Sequence, residues 1–182
     1  MPSGKTHDKI TYFSAPIVLA ATWGVTQNMK LAILTTASFF FAGFMFSGDL
    51  DTRSVQYKRW GPLKWLWVPY QKMVPHRSPF SHGLFLGMMA RLTYLTFILG
   101  AGFFALTRLA VWLEFNQFAS QFLQALHQII EFIVNHPIYF GGGLIGLWLG
   151  GASHTLADEI VSRIKKARKK KLKKPTLKRK KS

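Results

Sequence analysis

Five of the seven acidic residues in this chain fall in three short patches, two of them shared with histidine: His7-Asp8, Asp49-Leu50-Asp51 and His154-x-x-x-Asp158-Glu159. A fourth stretch, PHRSPFSHG at 75–83, adds His76 and His82. With six histidines and no cysteine, neither a thiolate metal site nor a disulfide framework is possible. Imidazole and carboxylate ligands together suit a divalent metal, zinc first, with manganese or iron as alternatives. The spacing has physical content. On a helix His154 and Asp158 share one face and can bind one ion together. If GDLD is extended, Asp49 and Asp51 point the same way. Ser78 is a good helix N-cap with Pro79 at the first helical position, which places His82 in a first turn and His76 in the extended stretch before it. His82 is the favoured ligand of the two, because a helix holds it more rigidly. The candidate metal ligands are therefore His7, Asp49, Asp51, His76, His82, His154 and Asp158. The bland alternatives are a surface His-Asp pair at 7–8, helix-capping acids at 49–51 and a surface pair at 154–158. His127 and His136 have no acidic partner and are expected to be structural.

The elements that must carry these residues are apolar. Half of the chain is hydrophobic, yet its net charge is +17. The excess sits at one end: Arg163 to Ser182 hold most of the lysine and arginine and no acid. The expected organisation is a helical membrane domain over 1–162 and a disordered basic tail over 163–182. A span needs ~20 apolar residues. Four segments approach that: Ile10–Asn28, Leu31–Ser47, Gly83–Trp112 and Ile138–Ala152. Arg91 in the third is costly unless it faces protein or water. Glycines such as Gly142, Gly146 and Gly150 in the fourth suit close helix approach in lipid. Residues 114–136 place Phe118, Phe122, Leu126, Ile129 and Ile133 on one side and glutamines on the other, which is an amphipathic helix lying at the interface. The fold class is thus all-α, with about four membrane-embedded helices and one interfacial helix. A soluble helical protein with apolar core helices is the competing expectation.

Four crossings bring His7, Asp8, Asp49, Asp51, His76, His82, His154 and Asp158 to one side, together with most of the basic residues. The positive-inside rule makes that side cytoplasmic. If the Gln-rich helix spans instead, His154 and Asp158 land opposite the rest. The loop YKRWGPLKWLWVPYQK mixes aromatics with lysines, as headgroup-level segments do; an ordinary packed loop is the alternative. Two N-terminal motifs are set aside. MPSGKTHDK is not expected to be a removed signal peptide. Ser3-Gly4-Lys5-Thr6 resembles the end of a phosphate-binding loop, but no upstream glycine or strand accompanies it here.

THDKIT, GDLDTRSVQYKRWGPLKWLWVPYQ, PHRSPFSHG and HTLAD together resemble a largely uncharacterised family of bacterial metal-binding membrane proteins. The resemblance runs from residue 3 to about 160, and the motif from Gly48 through Gly83 is its most specific part. More distantly the chain is similar to membrane-bound metal-dependent hydrolases, and to the all-helical superfamily of zinc-dependent phospholipase C and single-strand nucleases. That resemblance implies a site of Asp51 or Asp49, His82 or His76, His154 and Asp158, with His7 sharing Asp158 around a second ion. The superfamily's later His and His-x-x-x-Glu ligands have no counterpart after Asp158.

The expected function is a metal-dependent hydrolase of phosphate esters, phospholipid-like, at the cytoplasmic membrane surface. Asp8, or whichever of Asp49 and Asp51 is not a ligand, would be the general base, and Arg77 would hold the substrate phosphate. The basic tail would hold the site against anionic headgroups, at ~1 kcal/mol per basic residue near the surface. The alternative is a non-catalytic membrane protein with a structural metal and a tail that binds anionic lipid, RNA or a protein partner. Mainly electrostatic nucleic-acid binding through 163–182 is a third expectation, and would be steeply salt-dependent.

Overall fold

A computed structural model describes residues 4–76 and 78–178, with the side chains of all of these except Lys5 and 170–178. Among the described residues the regular structure is all helical, joined by short turns, and there is no strand. Three helices form the body. α1 (Gly4–Thr26) runs through Pro16 without ending. Gln27, at φ 50°, turns the chain, and Asn28 caps α2 (Met29–Met45) by accepting a hydrogen bond from the Leu31 amide at 3.1 Å. So short a link forces α1 and α2 antiparallel. α8 (Pro137–Lys178) lies along α2. Gly142, Gly146 and Gly150 give the register. A Cβ there would strike Leu31, then Thr35 and Ser38, then Phe39 and Ala42. Rising numbers on one helix match rising numbers on the other, so α2 and α8 are parallel. The glycines let the two backbones touch, as close-packed membrane helices do.

One end of this body therefore gathers the start of α1, the end of α2 and the middle of α8. The 52–74 segment folds over that end. It contains α3 (Val55–Arg59), a 3-10 stretch (Gly61–Trp67) and α4 (Val68–Met73). Trp67 and Tyr70 are buried in a core with Phe46, Leu50 and Tyr57. The Trp60 indole donates to the Met45 carbonyl at 2.8 Å, and the Gln71 amide to the Leu50 and Thr52 carbonyls at 3.0 and 3.1 Å. This corrects the headgroup-level expectation for part of the loop. Trp65 does face outward, but Trp67 and Tyr70 have more to gain from filling the gap beneath α2.

α5 (Pro79–His82) is a single turn, and α6 (Leu86–Trp112) is long and mostly uncovered; Phe97 is 70 % exposed. α7 (Asn116–Asn135) stacks Phe122 on Phe103 of α6 with ring centroids 4.4 Å apart. It then meets α8 at a 92° bend. The expected amphipathic helix thus forms. Two stretches, Met29–Asp51 and Leu86–Trp112, are long and apolar enough to cross a membrane, and the bent α7–α8 pair counts as a third only if both parts form one span. Four separate spans are not reached. Thr11, Ser14, Pro16 and Thr22 dilute α1, and the apolar part of α8 gives way to His154 and Asp158. The basic tail expected to be disordered over 163–182 is described as a continuation of α8 to Lys178, with an exposed Arg163–Glu159 pair at i, i+4; residues 179–182 lie outside the described residues.

Candidate metal centre

The shared end of the body is where the sequence's polar patches meet. His7 comes from the first turns of α1, and His154 and Asp158 from one face of α8. Asp49 and Asp51 come from a 3-10 turn, Gly48–Asp51, that follows α2. The turn replaces the expected extended GDLD, so the two carboxylates diverge: Asp49 faces His154 and His82, and Asp51 faces His76 and His82. Gly48 allows this approach, since a Cβ would come within 3.1 Å of the Ser81 carbonyl and 3.4 Å of the His82 ring. His82 is the last residue of α5, not the first turn of the long helix. Gly83 turns extended and α6 begins afresh at Leu86. Ser78 stands at the N-cap position, but its hydroxyl makes no capping bond.

All seven candidate ligands form one unbroken alternation of imidazole and carboxylate. His7 Nε2 lies 3.3 Å from Asp158 Oδ1, and Asp158 Oδ2 lies 3.6 Å from His154 Nε2. The same His154 nitrogen is 3.3 Å from Asp49 Oδ2. Asp49 Oδ1 is 3.4 Å from His82 Nε2, and His82 Nδ1 is 3.7 Å from Asp51 Oδ2. Asp51 ends the series with both oxygens 3.0 Å from His76 Nδ1. Three sets of donors cluster within 4.8 Å: His7, His154 and Asp158; Asp49, His82 and Asp158; Asp51, His76 and His82.

The spacing tests whether an ion fits. Asp49 Oδ1, both Asp158 oxygens, His82 Nε2 and His154 Nε2 are buried with no hydrogen-bond partner. Orphaned buried polar atoms are costly and rare in a finished fold. Ligands about 2.0–2.2 Å from a tetrahedral ion stand roughly 3.3–3.6 Å from one another. The His7–Asp158–His154–Asp49–His82 contacts have that separation, without the alignment of hydrogen bonds. The residues fit a divalent metal. Asp51 and His76 differ: they make an ordinary hydrogen-bonded pair, with the Asp51 carboxylate fully buried and the His76 ring 37 % exposed. The cluster opens to the outside at His76.

Two neighbours hold the site in place. Ser81 Oγ lies 2.9 Å from His82 Nδ1 and steadies that ring. Arg91, buried on α6, donates to the Ser81 carbonyl at 2.8 Å and lies over the Phe46 ring. Gly87 and Gly151 make room for its guanidinium. The sequence signal for Arg91 was its presence in an apolar run; the structure supplies the protein surroundings that such a residue requires. Burial also pushes the Tyr70 phenol up, so it stays protonated and donates to the Phe80 carbonyl at 3.2 Å.

The expected catalytic pair fares differently. Both Asp8 oxygens are taken by Arg59, at 2.9 and 2.6 Å, and this bidentate bond also raises the guanidinium's pKa. Asp8 is thus turned to α3 and is not brought into the cluster, whereas Asp49 and Asp51, the other expected general bases, are. Arg77 lies outside the described residues. His127 is exposed on α7, and His136 stacks on Phe132 next to it.

A family model described as "Uncharacterized metal-binding protein (DUF2227)" matches residues 2–168. No curated protein and no solved structure matches the chain. With nearly its whole length matched, the chain belongs to this metal-binding family.

Proposed function

We propose that this member of the metal-binding family is a metal-dependent hydrolase of phosphate esters, working at the cytoplasmic face of a membrane. One observation carries the reading: the buried alternation of four histidines and three aspartates that opens at a half-exposed His76. His7, His154, Asp158 and Asp49 would hold the first ion, with His82 between that set and Asp51. A bound divalent ion supplies Lewis acidity, polarising a phosphoryl oxygen and acidifying water at the site. The chain's own residues supply the rest. Asp51, buried behind His76, accepts from its Nδ1 side and fixes the ring, which leaves the other ring nitrogen free to take a proton from water and return it to a leaving oxygen. Ser81 and Arg91 keep His82 in place. Zinc suits the nitrogen and oxygen donor set, as do manganese and iron.

The membrane placement is supported by the stretch Met29–Asp51 and by α6, each long and apolar enough to cross. The basic residues near the site end put that end inside by the positive-inside rule. The helical basic tail would lie against anionic headgroups.

A second reading has its own support. His7 and His154 are only 3 % and 2 % exposed, and the cluster ties α1, the 3-10 turn, α5 and α8 together. A closed structural ion that pins these segments would look similar. The two readings separate on open coordination, since a catalytic ion keeps a position for water or substrate. The test is phosphate release from an aryl phosphate by full-length, zinc-loaded protein. The hydrolase reading expects turnover that His154→Ala abolishes. Zinc-loaded protein with four protein ligands and no turnover selects the structural reading.

A further inference from the structure

Beside the cluster runs a groove of about 560 Å³ between α4, the segment leading to His76, and α6. No carboxylate, imidazole, ammonium or guanidinium side chain lines it. Its two phenols are spent elsewhere, Tyr70 on the Phe80 carbonyl and Tyr94 on the Leu66 carbonyl. Apart from Thr93, what remains is apolar: Met73, Val74, Phe80, Met89 and Phe97 among others. Met73, Phe80 and Phe97 are 72, 56 and 70 % exposed, more apolar surface than a chain leaves bare in water.

The position of the two ends says what would cover it. At one end Val74 and Pro75 run directly into His76, and Phe80 into Ser81 and His82. The other end follows α6 from Leu86 to Phe97, about 16 Å at helical rise, into the stretch apolar enough to cross a membrane. Lys72, exposed on α4, adds a positive charge near the polar end. A second apolar pocket, lined by Val25, Leu31 and Ile138, sits where α2 begins and has no ligand cluster beside it. The occupant that matches a metal-and-cation head joined to a membrane-directed apolar trough is an anionic amphiphile.

We propose that this groove seats one acyl chain of a phosphate-bearing lipid, with the phosphate at the His–Asp cluster. The orientation rests on the phosphate-ester reading above; the acyl seat rests on the groove. Ala90 lines the groove, so Ala90→Trp fills it without touching a candidate ligand. Met89→Trp is the second variant, in case the first fails to fold.

The experiment uses full-length protein in phosphatidylcholine vesicles doped with phosphatidic acid that carries a photoactivatable diazirine on one acyl chain. Labelled residues are then mapped by mass spectrometry. Label should concentrate on groove residues such as Met73, Met89 and Phe97. It should drop at least about tenfold in a groove-filling variant that keeps its metal content. Label spread evenly along the exposed faces of α6 and α7, or undiminished in both variants, overturns the proposal. So do chain-to-chain crosslinks through the groove, which would mean that a second copy covers it. Release of phosphate from the same lipid is followed in parallel. Groove-centred label without release leaves the acyl seat standing and removes the hydrolase reading; release with label outside the groove does the reverse.

Discussion

The imidazoles of His7 and His154 stack at 3.8 Å between centroids, with planes 28° apart, although one begins α1 and the other lies well along α8. Asp158 touches both. Two protonated rings at that distance would repel each other, and a protonated ring cannot ligate. Metal retention should therefore fall on acidification, as protons compete with the ion for the ligand nitrogens, and the start of α1 should lose its hold on α8. Metal content after equilibration at each pH, with limited proteolysis near residue 7, reads both effects. Retention that is flat with pH argues against histidine ligation.

His76 and Asp8 were both candidates for chemistry in the sequence, and their surroundings now separate them. His76→Ala should keep the ion of the His7–His154–Asp158 set and lose activity by about 10²–10⁴-fold, the usual contribution of a positioned acid–base group. Asp8→Asn breaks only a partly exposed pair with Arg59, worth at most about 1 kcal/mol, and activity should stay within about twofold. Steady-state hydrolysis of an aryl phosphate by metal-loaded variants tests the contrast. A severe loss in Asp8→Asn, with His76→Ala intact, would reverse the assignment.

Arg91 is buried among Ser81, Phe46, Gly87 and Gly151. Arg91→Met should leave the buried Ser81 carbonyl without its donor and loosen the turn that carries His82, costing about 1–3 kcal/mol of stability in the metal-free protein. Added zinc should restore part of this, because an ion bound to the folded site stabilises it by mass action. Thermal unfolding with and without zinc measures it, and an unchanged midpoint for the metal-free variant contradicts the role.

Much of the site was legible because acids and histidines are scarce in this chain, so their grouping carried information. The His154–Asp158 pair needed only helical periodicity. The gathering of distant patches at one end follows from the tight α1–α2 turn and the glycine-lined packing of α8 along α2, rather than from the four crossings that were expected. What stayed hidden was local geometry. GDLD folds as a 3-10 turn because Gly48 must pass the Ser81 carbonyl and His82, a contact that the stretch itself does not encode. α5 stops at Gly83, where a Cβ would strike the Pro79 carbonyl. Asp8 is claimed by Arg59 across the fold, and Trp67 leaves the surface for the space under α2. Each of these depends on a partner far along the chain, where composition and spacing are silent.

The central claim is that the His–Asp alternation holds metal. Elemental analysis of full-length protein, purified without chelator, tests it most directly when His154→Ala is measured beside it. The account predicts at least one divalent transition-metal ion per wild-type chain and none in the variant, with both proteins helical by circular dichroism. A folded wild type free of metal even after zinc reconstitution, or a variant with full metal content, would contradict it.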